Sequence, residues 1–189
     1  LGDVNKRVFP TSGGKIEVAM PDWLTYAEQN KLSSWLKRGI DALETAYGSL
    51  PVQYFQILVF PTGTNSEAVP WGQVTRGGGD SIHLYVDETK SLAELNDDWV
   101  LVHELSHLLH PYLFATDGWL AEGLASYYQN VLRARAGLLD AEKAWEKLHA
   151  GFQRGLKQFE PNMTLEKDTR KMMRERKYMR VYWGGAAIA

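Results

Sequence analysis

The chain has 189 residues, of which 44% are hydrophobic, with seven Trp and nine Tyr, ample apolar surface for a packed core. A formal net charge of −2 gives no global field for nucleic acid or an anionic membrane. There is no cysteine, so disulfides and thiolate zinc sites are excluded, and any metal must be held by His and carboxylate. No apolar run approaches the ~18 residues of a membrane span, and Leu1–Pro10 is not a signal peptide. A periplasmic, secreted or membrane-tethered location, with its targeting segment outside this chain, is compatible with that.

From Asp3 to Met20 the pattern predicts strand, turn and strand: Val4 and Val8-Phe9 precede Pro10–Gly14, and Lys15–Ala19 alternates. A helix is expected over Trp23–Tyr47, with Leu24, Leu32, Trp35, Leu36, Ile40 and Leu43 as its buried stripe and Gly48 as its end. Tyr54–Phe60 is long, β-branched and aromatic, and reads as a central strand. A loop over Pro61–Pro70 leads to a short strand at Trp71–Thr75, a turn at Arg76–Asp80 and an alternating strand at Ser81–Val86.

Beyond them Trp99, Val102, Leu105, Leu108 and Leu109 fall at helical spacing, with Asn96 or Asp97 to cap the helix and Pro111 to stop it. Thr116 or Asp117 can cap a helix over Trp119–Ala136 that Gly137 ends, and Asp140 caps another that runs to Phe159. Pro161–Thr169 reads as a loop, and a last helix runs from Arg174 to the end, interrupted or tightly packed at Gly184-Gly185. Strands with one helix first and helices afterwards make the fold class α+β. We expect an N-terminal mixed β-sheet over residues 1–90 and a helical half over residues 91–189, in one catalytic domain. The last residues, Ala186–Ala189, carry neither cap nor polar tail and read as an interior boundary with further helices beyond.

The chemistry concentrates in His103-Glu104-Leu105-Ser106-His107. Residues four apart share one face of a helix, so His103 and His107 can aim their imidazoles at one zinc ion. Glu104 sits about 100° round the helix. That placement makes it a poor co-ligand but a suitable general base toward a metal-held water. A catalytic zinc needs a third protein ligand. His110 lies about 10 Å along the axis from His103 and cannot share the ion; it belongs to the surroundings or the surface. Glu122, between Ala121 and Leu124 on an otherwise apolar helix, is the better candidate, because a buried carboxylate needs a charge partner. Gly123 beside it permits a close approach by backbone or substrate.

His103-Glu104-x-x-His107 followed by Trp119-Leu120-Ala121-Glu122-Gly123 resembles the gluzincin metallopeptidases. The Trp-Leu-x-Glu-Gly-Leu-x-x-Tyr-Tyr wording is nearest to the bacterial glycyl aminopeptidase family, and more distantly similar to the aminopeptidase N type. The resemblance implies a thermolysin-like catalytic domain, one catalytic zinc per chain on His103, His107 and Glu122, and Glu104 as the water-activating base. Val181–Ala186 resembles the Tyr-x-x-Gly-Ala segment of these enzymes, which implies Tyr182 as donor to the developing oxyanion, although Gly184 stands where Lys is usual. The implied substrate is a peptide or protein bound along an edge strand ahead of the zinc helix. Arg76–Val86 is the stretch expected to provide that strand, with Gly77, Gly78 and Gly79 giving backbone clearance and Asp80 as the nearby acid. Ser126, one turn after Glu122, is a candidate to support that ligand.

Two features depart from the pattern. The Gly-x-Met-Glu-Asn segment that clasps a substrate amino terminus in aminopeptidase N relatives is missing, so aminopeptidase action does not follow from the residues. The gap from His107 to Glu122 is also short for those relatives. The rival to a zinc peptidase is a gluzincin-fold protein that holds zinc yet works as a non-catalytic peptide-binding or scaffolding module. The basic run Arg170-Lys171, Arg174, Arg176-Lys177 and Arg180 is expected to be a solvated face.

Overall fold

The computed structural model describes residues 3–76, 79–113 and 115–189. These fall into two compact units, Leu1–Leu109 and His110–Ala189, so the His-Glu-x-x-His helix groups with the sheet. The fold is α+β, with a mixed sheet first and helices after it.

The first unit is built on five strands, β1 (Val4–Pro10), β2 (Lys15–Pro21), β3 (Tyr54–Pro61), β4 (Trp71–Thr75) and β5 (Ser81–Val86). Their order is β1-β2-β3-β5-β4, antiparallel at both ends and parallel from β2 through β3 to β5. Side chains alternate across a strand. Ile16, Val18 and Met20, then Phe55, Ile57 and Val59, then Ile82, Leu84 and Val86 therefore share the buried face. Tyr54, Phe60, Tyr85 and Trp71 stand on the other face, exposed.

The helix α1 (Tyr26–Glu44) adds Leu32, Trp35, Leu36, Ile40 and Leu43 to this core. It begins three residues later than expected, at a reciprocal cap: Thr25 Oγ1 accepts from Glu28 N while Thr25 N donates to Glu28. It is followed by Gly48, whose N–H donates to Glu44 O at 2.8 Å in the left-handed conformation that glycine tolerates.

The sequence reading missed a short helix, α2 (Leu92–Asp97), which opens with a second capping box between Ser91 and Glu94. That helix takes up Asn96 and Asp97, the expected caps of the next one. Asp98 acts in their stead, its Oδ1 accepting from Val100 N at 2.7 Å at the start of α3 (Val100–Ser106). The α-helix is shorter than expected and tightens into a 3₁₀ turn over His107–Leu109 as the chain nears Pro111. Every residue of α3 is buried, and Gly39 on α1 makes room for it: a Cβ there would stand 2.4 Å from Leu101 Cδ2.

The second unit holds α4 (Gly118–Arg135), α5 (Ala141–Lys157), α6 (Leu165–Glu175) and α7 (Tyr178–Ala186). Asp140 caps α5 as expected, accepting from the N–H groups of Glu142 and Lys143. The expected loop over Pro161–Thr169 is corrected: α6 starts inside it, with Thr164 Oγ1 accepting from Lys167 N. The last helix is correspondingly split, because Arg176 takes a left-handed conformation (φ 54°) that ends α6 before α7 begins.

The core of this unit is Leu148, Trp183 and Ala186, with Tyr127, Val131, Phe152, Met179 and Tyr182 packed against it. α4 and α7 meet backbone to backbone, since a Cβ on Gly123 would lie 2.4 Å from Gly185 C. The basic run is a solvated face only in part. Arg170 and Arg174 are exposed, whereas Lys177 and Arg180 pair with the fully buried Asp168 at 3.5 and 3.4 Å.

Candidate metal centre

His103 is buried in α3, and His107 opens the turn that continues it. The change to 3₁₀ geometry comes late enough to keep the two imidazoles together: their ring centroids are 5.1 Å apart with planes at 85°. Trp99 stands edge-on to His103 at 5.3 Å, walling one side of that ring. Glu104, between them in sequence, is buried.

In the second unit Glu122 lies on α4, half-buried, beside the Gly123 that lets α7 approach. Among the described residues one group of three potential ligands comes together. His103, His107 and Glu122 each offer one ligand atom, and these atoms all lie within 4.8 Å of one another. Two imidazoles and a carboxylate, with no thiolate, are the donor set of a catalytic rather than a structural zinc.

Ser126 is buried one turn along α4, its carbonyl accepting from Asn130 Nδ2 at 3.2 Å. The Tyr182 ring is half-buried against the Leu148, Trp183 and Ala186 cluster. His110 lies just past the 3₁₀ turn, its Nδ1 2.8 Å from Pro111 O.

The expected peptide-binding edge needs correction. β5 is paired on both sides, to β3 and to β4, and the edge strand next to it is β4, Trp71–Thr75. The two strands expected at Trp71–Thr75 and Ser81–Val86 do pair, and it is the first of them, rather than the Arg76–Val86 stretch, that forms the edge. Gly79 and Asp80 sit in the turn between the two strands; Gly77 and Gly78 lie outside the described residues.

Sequence reasoning also missed the roles of two residues, one inside this strand and one just past its end. Gly72 lies against the helix: a Cβ on it would stand 2.6 Å from both Glu104 Cγ and Val100 Cγ1. Arg76 donates to the backbone carbonyl of His107, at the C-terminal end of α3 where the helix dipole favours a cation. The signal for the first was legible, since an isolated glycine inside a strand marks a close backbone approach.

The family model for M61 glycyl aminopeptidase matches residues 109–182. No curated protein matches the chain. Among solved structures, an aminopeptidase N family protein from Idiomarina loihiensis is similar over 99% of this chain and 36% of its own, with 17% identity and a TM-score of 0.64. An M1 zinc metallopeptidase from Deinococcus radiodurans is similar over 98% of this chain and 39% of its own, with 17% identity and a TM-score of 0.55. The chain thus spans little more than a third of the length of these proteins. It shares its fold with the corresponding region of the aminopeptidase N and M1 metallopeptidase structures, as the gluzincin resemblance implies.

Proposed function

We propose that the chain is the catalytic region of a zinc-dependent peptidase, with His103, His107 and Glu122 holding one zinc ion. The observation that carries the reading is the convergence of those three ligand atoms, with the buried Glu104 next to His103 on α3. Zinc bound there supplies a water of lowered pKa, near 7, and polarises the scissile carbonyl.

The chain's own residues do the rest. Glu104 takes the proton of the attacking water and delivers it to the leaving amine, a transfer that a positioned carboxylate can accelerate by about 10²–10⁴-fold. Burial beside apolar α3 neighbours keeps that carboxylate from competing solvent. Tyr182 donates its phenolic hydrogen to the oxyanion, and Ser126 steadies α4 near Glu122. The substrate is a peptide that adds as a strand to the edge of β4, with Gly79 and Asp80 at the end of that edge.

Aminopeptidase action is the narrower form of this reading, and the M61 match over residues 109–182 favours it. The test is hydrolysis of a peptide library with free and with acetylated amino termini, each with and without chelator. Chelator-sensitive cleavage supports the peptidase, and dependence on a free amino terminus supports the narrower form. Zinc retained without cleavage of any library member would instead make the chain a non-catalytic peptide-binding or scaffolding module.

A further inference from the structure

Glu104 has a neighbour that nothing in the ligand set explains. Gly72 is the second residue of the edge strand β4, in register with Leu84 and so on the buried face of the sheet. A Cβ there would lie 2.6 Å from Glu104 Cγ, 2.6 Å from Val100 Cγ1 and 3.2 Å from Glu104 Cδ. Carbon atoms in contact sit at about 3.5–4.0 Å. The bare backbone of β4 is therefore already against the Glu104 side chain, and no side chain fits between them.

The strand is also tied to the helix further along, where Arg76 donates to the carbonyl of His107. Backing away at Gly72 would strain that hydrogen bond. Val100 is almost wholly buried at the start of α3 and has little space to turn into. The mobile partner at this contact is Glu104, whose Cγ and Cδ both face the strand.

We propose that Gly72 is a positioning residue for Glu104: by bringing the edge-strand backbone against the Cγ and Cδ of that side chain, it fixes where the carboxylate stands. The inference rests on the reading of Glu104 as general base. It adds that the aim of the base is set from β4 as well as from its own helix. Gly72→Ala then drives the carboxylate off its line, and misplacement by about 1 Å loses as much as about a hundredfold in rate.

Two measurements test it. The first needs no activity: urea unfolding of zinc-loaded protein for Gly72→Ala, Glu104→Ala and the double variant. Removing the Glu104 side chain beyond Cβ relieves its share of the clash and leaves only the 2.6 Å approach to Val100 Cγ1, so Gly72→Ala should lower the midpoint more in the wild type than in Glu104→Ala. Equal losses in both backgrounds would overturn the contact, whatever Glu104 does chemically.

The second follows kcat and KM on glycyl p-nitroanilide and an internally quenched peptide, with zinc content checked in parallel. Gly72→Ala should keep its zinc, leave KM within about threefold and lower kcat about ten- to hundredfold. Adding Val100→Ala opens space on the far side of the new methyl and should restore part of kcat, while Val100→Ala alone stays near wild type. A kcat unchanged in Gly72→Ala, or no recovery in the double variant, would overturn the positioning role. If Gly72→Ala fails to fold, the Gly72→Ala/Val100→Ala protein carries the same test, with a kcat at or below a tenth of wild type sinking the idea. A wild-type protein that cleaves neither substrate with zinc bound would remove the reading of Glu104 itself while the unfolding result still stood.

Discussion

Gly184 and Gly185 are adjacent on α7 yet should respond oppositely to the same substitution. A Cβ on Gly185 would stand 2.1 Å from Trp119 O, 2.9 Å from Gly123 Cα and 3.2 Å from Trp119 C, all backbone of α4. None of those atoms can swing aside. To restore an ordinary contact α7 must retreat by more than about 1 Å, which loosens the Trp183 and Ala186 packing against Leu148. Overpacking of this kind costs about 1–3 kcal/mol, and alanine's better helix propensity returns at most about 1 kcal/mol. The clash is severe, so a net loss of about 2 kcal/mol is expected.

A Cβ on Gly184 would instead meet Arg180 Nη1 and Leu165 Cδ2, each at 3.0 Å, and both are the tips of flexible side chains. There the propensity gain dominates, and Gly184→Ala should be neutral or stabilising by up to about 1 kcal/mol. Thermal melts of the two variants read the difference directly. At about 2–4 °C per kcal/mol, Gly185→Ala should melt about 4–8 °C lower and Gly184→Ala up to about 4 °C higher. Equal melting points, or greater damage from Gly184→Ala, would refute the claim that the two helices touch through backbone at Gly185.

Other consequences can be measured alongside. Ser91→Ala removes the cap of α2 and should lower stability by about 1 kcal/mol in urea unfolding, with Glu94→Gln milder. Burial alone would push the Asp87 carboxyl up. Hydrogen bonds from the Thr89 hydroxyl and the Asn65 and Thr89 N–H groups, with Lys90 nearby, nevertheless hold it below its ordinary value. A carboxyl lowered on folding stabilises the fold above its unfolded pKa, and that contribution disappears as pH falls through the folded value. Asp87→Asn should therefore be clearly less stable than wild type at pH 7, with the gap closing below about pH 4. A gap independent of pH would contradict this. Asp168→Ala takes the carboxylate from Arg180 and leaves Lys177 only its Glu160 and Glu175 pairs, and should destabilise α6 by about 3 kcal/mol, read as faster proteolysis near Arg170–Arg176.

The elements legible in the sequence were those whose side chains follow a period. β2, β3 and β5 alternate cleanly, and α1 and α5 carry apolar stripes, so their types and approximate limits follow from the residues. α6 was not legible, because among its described residues the fully buried side chain is a charge. Asp168 holds the helix to α7 through Lys177 and Arg180, and hydrophobic periodicity cannot register an ion pair. α2 is too short for a period, although Ser91 and Glu94 spelled out its cap. The His103, Glu104 and His107 motif was plain because four-residue spacing fixes a shared helix face. The edge strand was not, since pairing partners depend on which strand crosses where, and the parallel connection from β3 to β5 puts β5 inside β4. Gly72 and Arg76 acquire meaning only once that order is known.

If two imidazoles and a carboxylate hold one catalytic zinc while Glu104 works beside it, zinc binding and turnover must separate among the variants. Zinc content by mass spectrometry, measured with peptide turnover on the wild type, His103→Ala, Glu122→Ala and Glu104→Gln, tests it most directly. The wild type and Glu104→Gln should each hold about one zinc per chain, with turnover in the latter reduced by about 10²-fold or more, and the other two variants should lose the metal. Full zinc occupancy in Glu122→Ala, or undiminished turnover in Glu104→Gln, would contradict it.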